Sequence, residues 1–105
     1  MVTSRGQGTS PADPVRMRVR YEGRVQGVGF RYTTQRLAAG FQVNGYVMNL
    51  PDGAVEMAVQ GPARQVDAFL QSVRTSTLAR YISRETSCAM SPEDREQGFR
   101  IRTSS

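Results

Sequence analysis

The stretch Gly23–Arg31 reads GRVQGVGFR, with three glycines and two arginines in nine residues. Glycine tolerates the left-handed backbone that other residues avoid. A turn rich in it can aim several N–H groups at one point, and such concave amide clusters bind anions. A helix that starts directly afterwards adds its own free N–H groups and the positive end of its dipole. Arg31 falls at that start, where a guanidinium can form two parallel charged hydrogen bonds to a phosphate or carboxylate. The chemistry available is therefore an anion cradle with an arginine clamp. Taken alone, the same residues also fit a plain tight connection with a surface arginine, and both readings stand at this point.

Several other chemistries are excluded by residue type. All 14 basic residues are arginine, so no lysine is present for a Schiff base or a phosphate-loop lysine. Gly23, Gly27 and Gly29 do not have the dinucleotide-loop spacing, and no acidic residue stands where that motif needs one. The chain has no histidine, which removes imidazole acid–base and metal chemistry. One cysteine, Cys88, rules out an internal disulfide or a cysteine-rich zinc site and suits a reducing compartment. Without a histidine partner it is not read as a nucleophile. The net charge of +5 fits a solvated arginine surface, an anionic substrate or nucleic acid.

The elements that would position this turn follow from periodicity. Val15, Met17, Val19 and Tyr21 alternate with Arg16, Arg18, Arg20 and Glu22, which predicts a strand with one buried face and one solvated, arginine-rich face. Phe30, Thr34, Leu37, Ala38 and Phe41 recur at helical spacing, predicting a helix over about Arg31–Ala39 with Gly40 suited to its C-cap. Strands are expected at Phe41–Met48 and Ala54–Gln60, joined by Asn49–Gly53, NLPDG, as a hairpin. Pro62 suits the first position of a second helix, about Ala63–Ser72 or a turn longer, whose apolar face is Ala63, Val66, Phe69, Leu70 and Val73. A strand at Tyr81–Ala89, a polar loop at Met90–Gly98 and a short strand at Phe99–Arg102 complete the order. No internal repeat interrupts it. Strand, helix, strand, strand, helix, strand is the split βαβ, ferredoxin-like order. The predicted fold is α+β, two helices on one face of a mostly antiparallel four- to five-stranded sheet.

GRVQGVGFR followed by GYVMNLPDGAVE, Gly45–Glu56, resembles the acylphosphatase family. The family pattern is a G-x-V-Q-G-V-x-F-R loop, then G-x-V-x-N with a D-G turn and a V-E strand. VQGP at Val59–Pro62 and FRIR at Phe99–Arg102 also resemble family positions, so the likeness runs from about Arg16 to Arg102. It implies a ferredoxin-like fold and hydrolysis of acyl phosphates to a carboxylate and inorganic phosphate. By the same resemblance, Arg31 binds the phosphoryl group with the amides of Gln26, Gly27, Val28, Gly29 and Phe30, and Asn49 positions the attacking water. An acyl phosphate carries a good leaving group, so positioning and charge stabilisation suffice, with no cofactor and no metal. Locally, Asn49 before Pro-Asp-Gly is also ordinary turn chemistry, and the two roles are compatible. Glu22 is a rival base that alternation places on the arginine face, and Asp52 is read as shaping the turn. Tyr46 stands where the family often has Trp, and Gly29 where some members have a larger residue. Ser83–Gly98 matches least.

Three functions compete. The first is a free-standing acylphosphatase. The second is an acylphosphatase-like domain that processes carbamoyl phosphate within a larger maturation factor. The third is a basic nucleic-acid-binding module, which ranks low because the stacking aromatics of an RNA-recognition sheet are missing. The chain ends just after its last strand, which favours the free-standing form. The expected partners are a small acyl phosphate and inorganic phosphate, as product and inhibitor. The N-terminal residues 1–14 have no apolar core of a secretory signal and are expected to be a disordered tail before a domain at 15–103. A monomeric, cytoplasmic protein without a membrane span is expected.

Overall fold

The computed structural model describes residues 13–103. Most of the N-terminal stretch expected to be a disordered tail lies outside the described residues. The elements run β1 (Pro14–Gly23), α1 (Phe30–Ala38), β2 (Asn44–Asn49), β3 (Val55–Pro62), α2 (Ala63–Arg74), a 3-10 turn (Thr77–Tyr81), β4 (Ile82–Met90) and β5 (Phe99–Arg102). One five-stranded sheet has the order β4-β1-β3-β2-β5. Its pairings are antiparallel except β2 with β5, which is parallel. Both helices cover one face. This is the predicted ferredoxin-like α+β fold, extended by an edge strand.

Period-two patterning builds the core. Val19 and Tyr21 of β1, Val47 of β2 and Val55, Met57 and Val59 of β3 are all fully buried. They meet Phe30, Thr34 and Ala38 of α1 and Val66, Phe69, Leu70 and Val73 of α2. Phe69 joins the layers by edge-on contacts to Phe41 and Phe99, at 5.9 and 5.5 Å between ring centres.

Several boundaries differ from the sequence reading for local reasons. α1 ends at Ala38 with Ala39 as a right-handed C-cap; the Ala39 N–H donates to the Arg36 carbonyl and the Gly40 N–H to the Leu37 carbonyl. Gly40 therefore supplies no left-handed cap. Pro62 is the extended residue before α2 rather than its first turn, because it still pairs with Pro14. The 3-10 turn was not predicted; Ser76 caps it by accepting from the Leu78 N–H, and Leu78 is buried beneath.

The larger correction concerns the arginine face. Arg16 was expected in solvent but is only 3% exposed. The sheet order is the cause. β4 and β5 lie at opposite edges, so the segment between them must cross the whole sheet, and it does so over the face without helices. Arg16, Gln60 and Asn44 stand side by side in one cross-strand row. Each holds that strap: Arg16 pairs with Glu96 at 3.1 Å and Glu93 at 3.7 Å, Gln60 exchanges two 2.7 Å bonds with the Glu93 backbone, and the Asn44 side chain accepts from Gly98 N–H at 2.9 Å. Arg16 also donates to Gln60 Oε1. Arg16→Ala should lower unfolding stability by about 2 kcal/mol, because it leaves the strap carboxylates without their buried partner. Urea denaturation checks this, with exposed Arg18→Ala expected to change stability by under about 0.5 kcal/mol.

Candidate active site

The strand-to-helix loop owes its shape to its glycines. Gly23 ends β1 at a register shift, with φ 127°, where the backbones of Tyr81 and Ser83 leave no room for a Cβ. Gly27 and Gly29 each have φ 79°, the left-handed region. Gly29 is the N-cap of α1 and makes no side-chain cap; no acidic residue stands in the first turn. The first backbone bond of the helix is Thr33 N–H to the Gly29 carbonyl, at 2.9 Å. The N–H groups of Phe30, Arg31 and Tyr32 are thus left without intrahelical acceptors, as at any helix start. Thr34, fully buried, donates to the Arg31 carbonyl at 2.9 Å and anchors that turn from below. The Tyr21 ring packs on Phe30 at 5.1 Å between centres. Burial pushes the Tyr21 hydroxyl pKa far up, so it stays neutral beneath the loop.

The second half of the site comes from the hairpin. Tyr21, Val55 and Asn49 form one row across β1, β3 and β2, on the helix-facing side. That row lies at the end of the sheet where β1 enters the glycine loop, so Asn49 reaches the loop. One side chain ties the two together. Gln26 donates through Nε2 to the carbonyls of Leu50, at 2.8 Å, and Ala54, at 2.9 Å. Both carbonyls belong to the β2–β3 turn, closed by Leu50 N–H to Ala54 O and Gly53 N–H to Leu50 O. Asp52 completes it, accepting from the Ala54 N–H at 3.0 Å and from Arg20 at 2.6 Å. These bonds, the Ala54 N–H first, hold the Asp52 carboxyl below its ordinary range.

Between loop and hairpin opens a cleft of about 170 Å³, lined by Val25, Gly27, Gly29, Phe30, Arg31, Tyr32, Asn49 and Ile101. Gly27, Gly29, Phe30, Arg31 and Asn49 are residues expected from the sequence. Gln26 and Val28 were expected too but do not line it: the Gln26 side chain is turned to the hairpin and Val28 packs on the core. Neither Arg31 nor the Asn49 amide makes a side-chain hydrogen bond or ion pair among the described residues. Glu22 lies elsewhere, accepting from Arg20 on the helix-free face. Asp52 shapes the turn as expected. Val25, Tyr32 and Ile101 were missed. Tyr32 adjoins Arg31, but nothing local in the sequence places Ile101 of β5 at this loop.

The acylphosphatase family model matches residues 17–101, most of the chain. The chain belongs to the acylphosphatase family. An acylphosphatase of Geobacillus kaustophilus is 41% identical over 86 residues, 82% of this chain and 92% of that one. The crystal structure of acylphosphatase from Bacillus subtilis superposes with a TM-score of 0.76 at 30% identity, covering 84% of this chain and 98% of its own. The crystal structure of T. kodakarensis HypF superposes with a TM-score of 0.74 at 29% identity, covering 87% of this chain but 12% of that one. Among the described residues, no helix of this acylphosphatase-family chain is long and apolar enough to cross a membrane.

Gln26→Leu should destabilise the fold by only about 1 kcal/mol, since both carbonyls keep a backbone donor. It should nonetheless loosen the cleft, read as faster amide exchange at 26–31 and 50–54. The Asp52 contribution should be present above the ordinary carboxylate pKa of about 3.9 and be lost as pH falls through the depressed folded value. Thermal melts of Asp52→Asn against wild type across that range should show a shallower acid decline in the variant.

Proposed function

We propose that this chain hydrolyses acyl phosphates to a carboxylate and inorganic phosphate at the cleft between the glycine loop and Asn49. The observation that carries the reading is convergence: loop amides, an uncommitted guanidinium and an uncommitted carboxamide line one small cleft. Family membership supports the same reaction class.

In this mechanism the phosphoryl oxygens lie against the N–H groups of Gln26–Phe30, which run through the loop to the start of α1. Arg31 supplies a paired, charged contact to them. Negative charge spreads over those oxygens as the reaction proceeds, and donors fixed beforehand stabilise it without reorganising. Asn49 orients a water in line with the leaving group. The water oxygen bonds to phosphorus as the bond to the acyl oxygen breaks, and the carboxylate leaves with that electron pair. A carboxamide is too weak a base to take the proton, so a phosphate oxygen accepts it. The roles of Arg31, Asn49 and the amides of Gln26–Phe30 belong to this proposal.

The nucleic-acid alternative is less favoured, because the arginine face is partly committed. Arg16 is held by the strap, and Arg20 by Asp52 and Glu22. We further propose a monomer working in the cytoplasm, a setting compatible with the exposed free thiol of Cys88.

The test is hydrolysis of benzoyl phosphate without added metal by wild type, Arg31→Ala and Asn49→Ala. Wild type should turn over, with inorganic phosphate competing. Asn49→Ala should lose on the order of 10²–10³ in kcat while still binding phosphate, and Arg31→Ala should lose both binding and turnover. A folded wild type without turnover would refute the enzyme reading. Equal loss of phosphate binding in both variants would make Asn49 structural.

A further inference from the structure

Among the described residues, two large apolar side chains stand exposed: Tyr32 at 59% and Ile101 at 38%. A single exposed apolar residue needs no explanation. These two line the same cleft, and it is the cleft that holds Arg31 and Asn49. They come from different elements. Tyr32 is in the first turn of α1, directly after Arg31, and Ile101 lies on β5 beside Val47. Val25 also borders the cleft but is fully buried, so the accessible apolar surface there belongs to Tyr32 and Ile101. Arg36, one turn along α1, lies over the Tyr32 ring at 5.7 Å and restrains it.

The polar groups of the cleft suit a phosphate, yet nothing in phosphate recognition calls for an aromatic ring and a branched aliphatic side chain at its border. The rest of an acyl phosphate does. With its phosphoryl group against the loop amides, the acyl group must extend along the exposed apolar lining, which is Tyr32 and Ile101. Small polar residues there would serve acetyl or carbamoyl groups equally well. A ring and a branched chain reward apolar surface, and they do so most for a flat or branched acyl group.

We propose that Tyr32 and Ile101 form an acyl platform that selects acyl phosphates with an aromatic or branched apolar acyl group over acetyl phosphate. This rests on the hydrolytic reading above and narrows its substrate class. Tyr32 and Ile101 are specificity residues, outside the phosphate-binding and water-positioning set.

The test uses acylphosphonates, which keep the acyl and anionic ends but cannot be hydrolysed at phosphorus. Acetylphosphonate, benzoylphosphonate and inorganic phosphate are titrated calorimetrically into wild type, Tyr32→Ala and Ile101→Ser. Rates on acetyl and benzoyl phosphate are measured in parallel. Wild type should bind benzoylphosphonate about tenfold more tightly than acetylphosphonate, in the range one apolar contact provides. Each variant should cut that preference to about threefold or less, with phosphate and acetylphosphonate affinities changed under about twofold. The kcat/KM ratio of the two substrates should follow. Equal binding of both phosphonates by wild type, or an unchanged ratio in both variants, overturns the platform. Preferential phosphonate binding that the variants abolish, without turnover, sustains the platform and refutes hydrolysis. Failure to bind any of the three anions overturns both.

Discussion

The two hydrogen bonds from Gln26 to Leu50 O and Ala54 O join the halves of this site. The glycine loop hangs between β1 and α1, and Asn49 ends a strand that is not a direct neighbour of β1. Each half has its own local reason to exist, but the separation between them is set where they touch. A single carboxamide bridging both ends of one tight turn fixes that separation with little side-chain freedom. Catalysis by positioning depends on such fixed separations, since misplacement of even an ångström lowers rate steeply. The Tyr21–Phe30 contact and the buried Thr34 hold the same loop from beneath, so the cleft rests on core on one side and on the hairpin on the other.

The start of α1 trades stability for a vacant set of donors. Serine or aspartate at the N-cap would satisfy one N–H and add about 1 kcal/mol. An acidic residue in the first turn would also favour the dipole. The chain has neither: a left-handed glycine caps the helix and no carboxylate follows it. Either device would put an oxygen where an anion is proposed to bind. Gly27 and Gly29 meet no neighbour that would exclude a Cβ, so their requirement is the backbone angle itself. A helix left uncapped, beside an arginine with no carboxylate partner among the described residues, fits selection for binding rather than for stability.

The helix-free face answers a different demand. With β4 and β5 at opposite edges, their connection has to cross three strands. The crossing is held by a polar row, Arg16, Gln60 and Asn44, rather than by apolar packing. The strap also secures the entry to β5, whose Ile101 then reaches the cleft. A connection far from the loop in sequence thus governs one wall of the site.

The sequence by itself determined the strands and helices, their order and the residues of the proposed phosphate cradle. Those signals are local: alternation marks strands, helical spacing marks helices, and glycine with arginine at a strand-to-helix junction marks a candidate anion site. Linked to the NLPDG hairpin, they also identified the family. Tertiary structure decided what depends on long-range adjacency. Alternation placed Arg16 on the outer face correctly, but only the sheet order revealed that a strap would bury it. Gln26 was legible as a loop member, yet its role as a tether required the hairpin carbonyls to be near. Tyr32 and Ile101 read as ordinary residues of a helix and a strand, because apolar exposure at a shared cleft is a property of packing. Spacing encodes which face a side chain takes; the topology of the sheet decides what that face will meet.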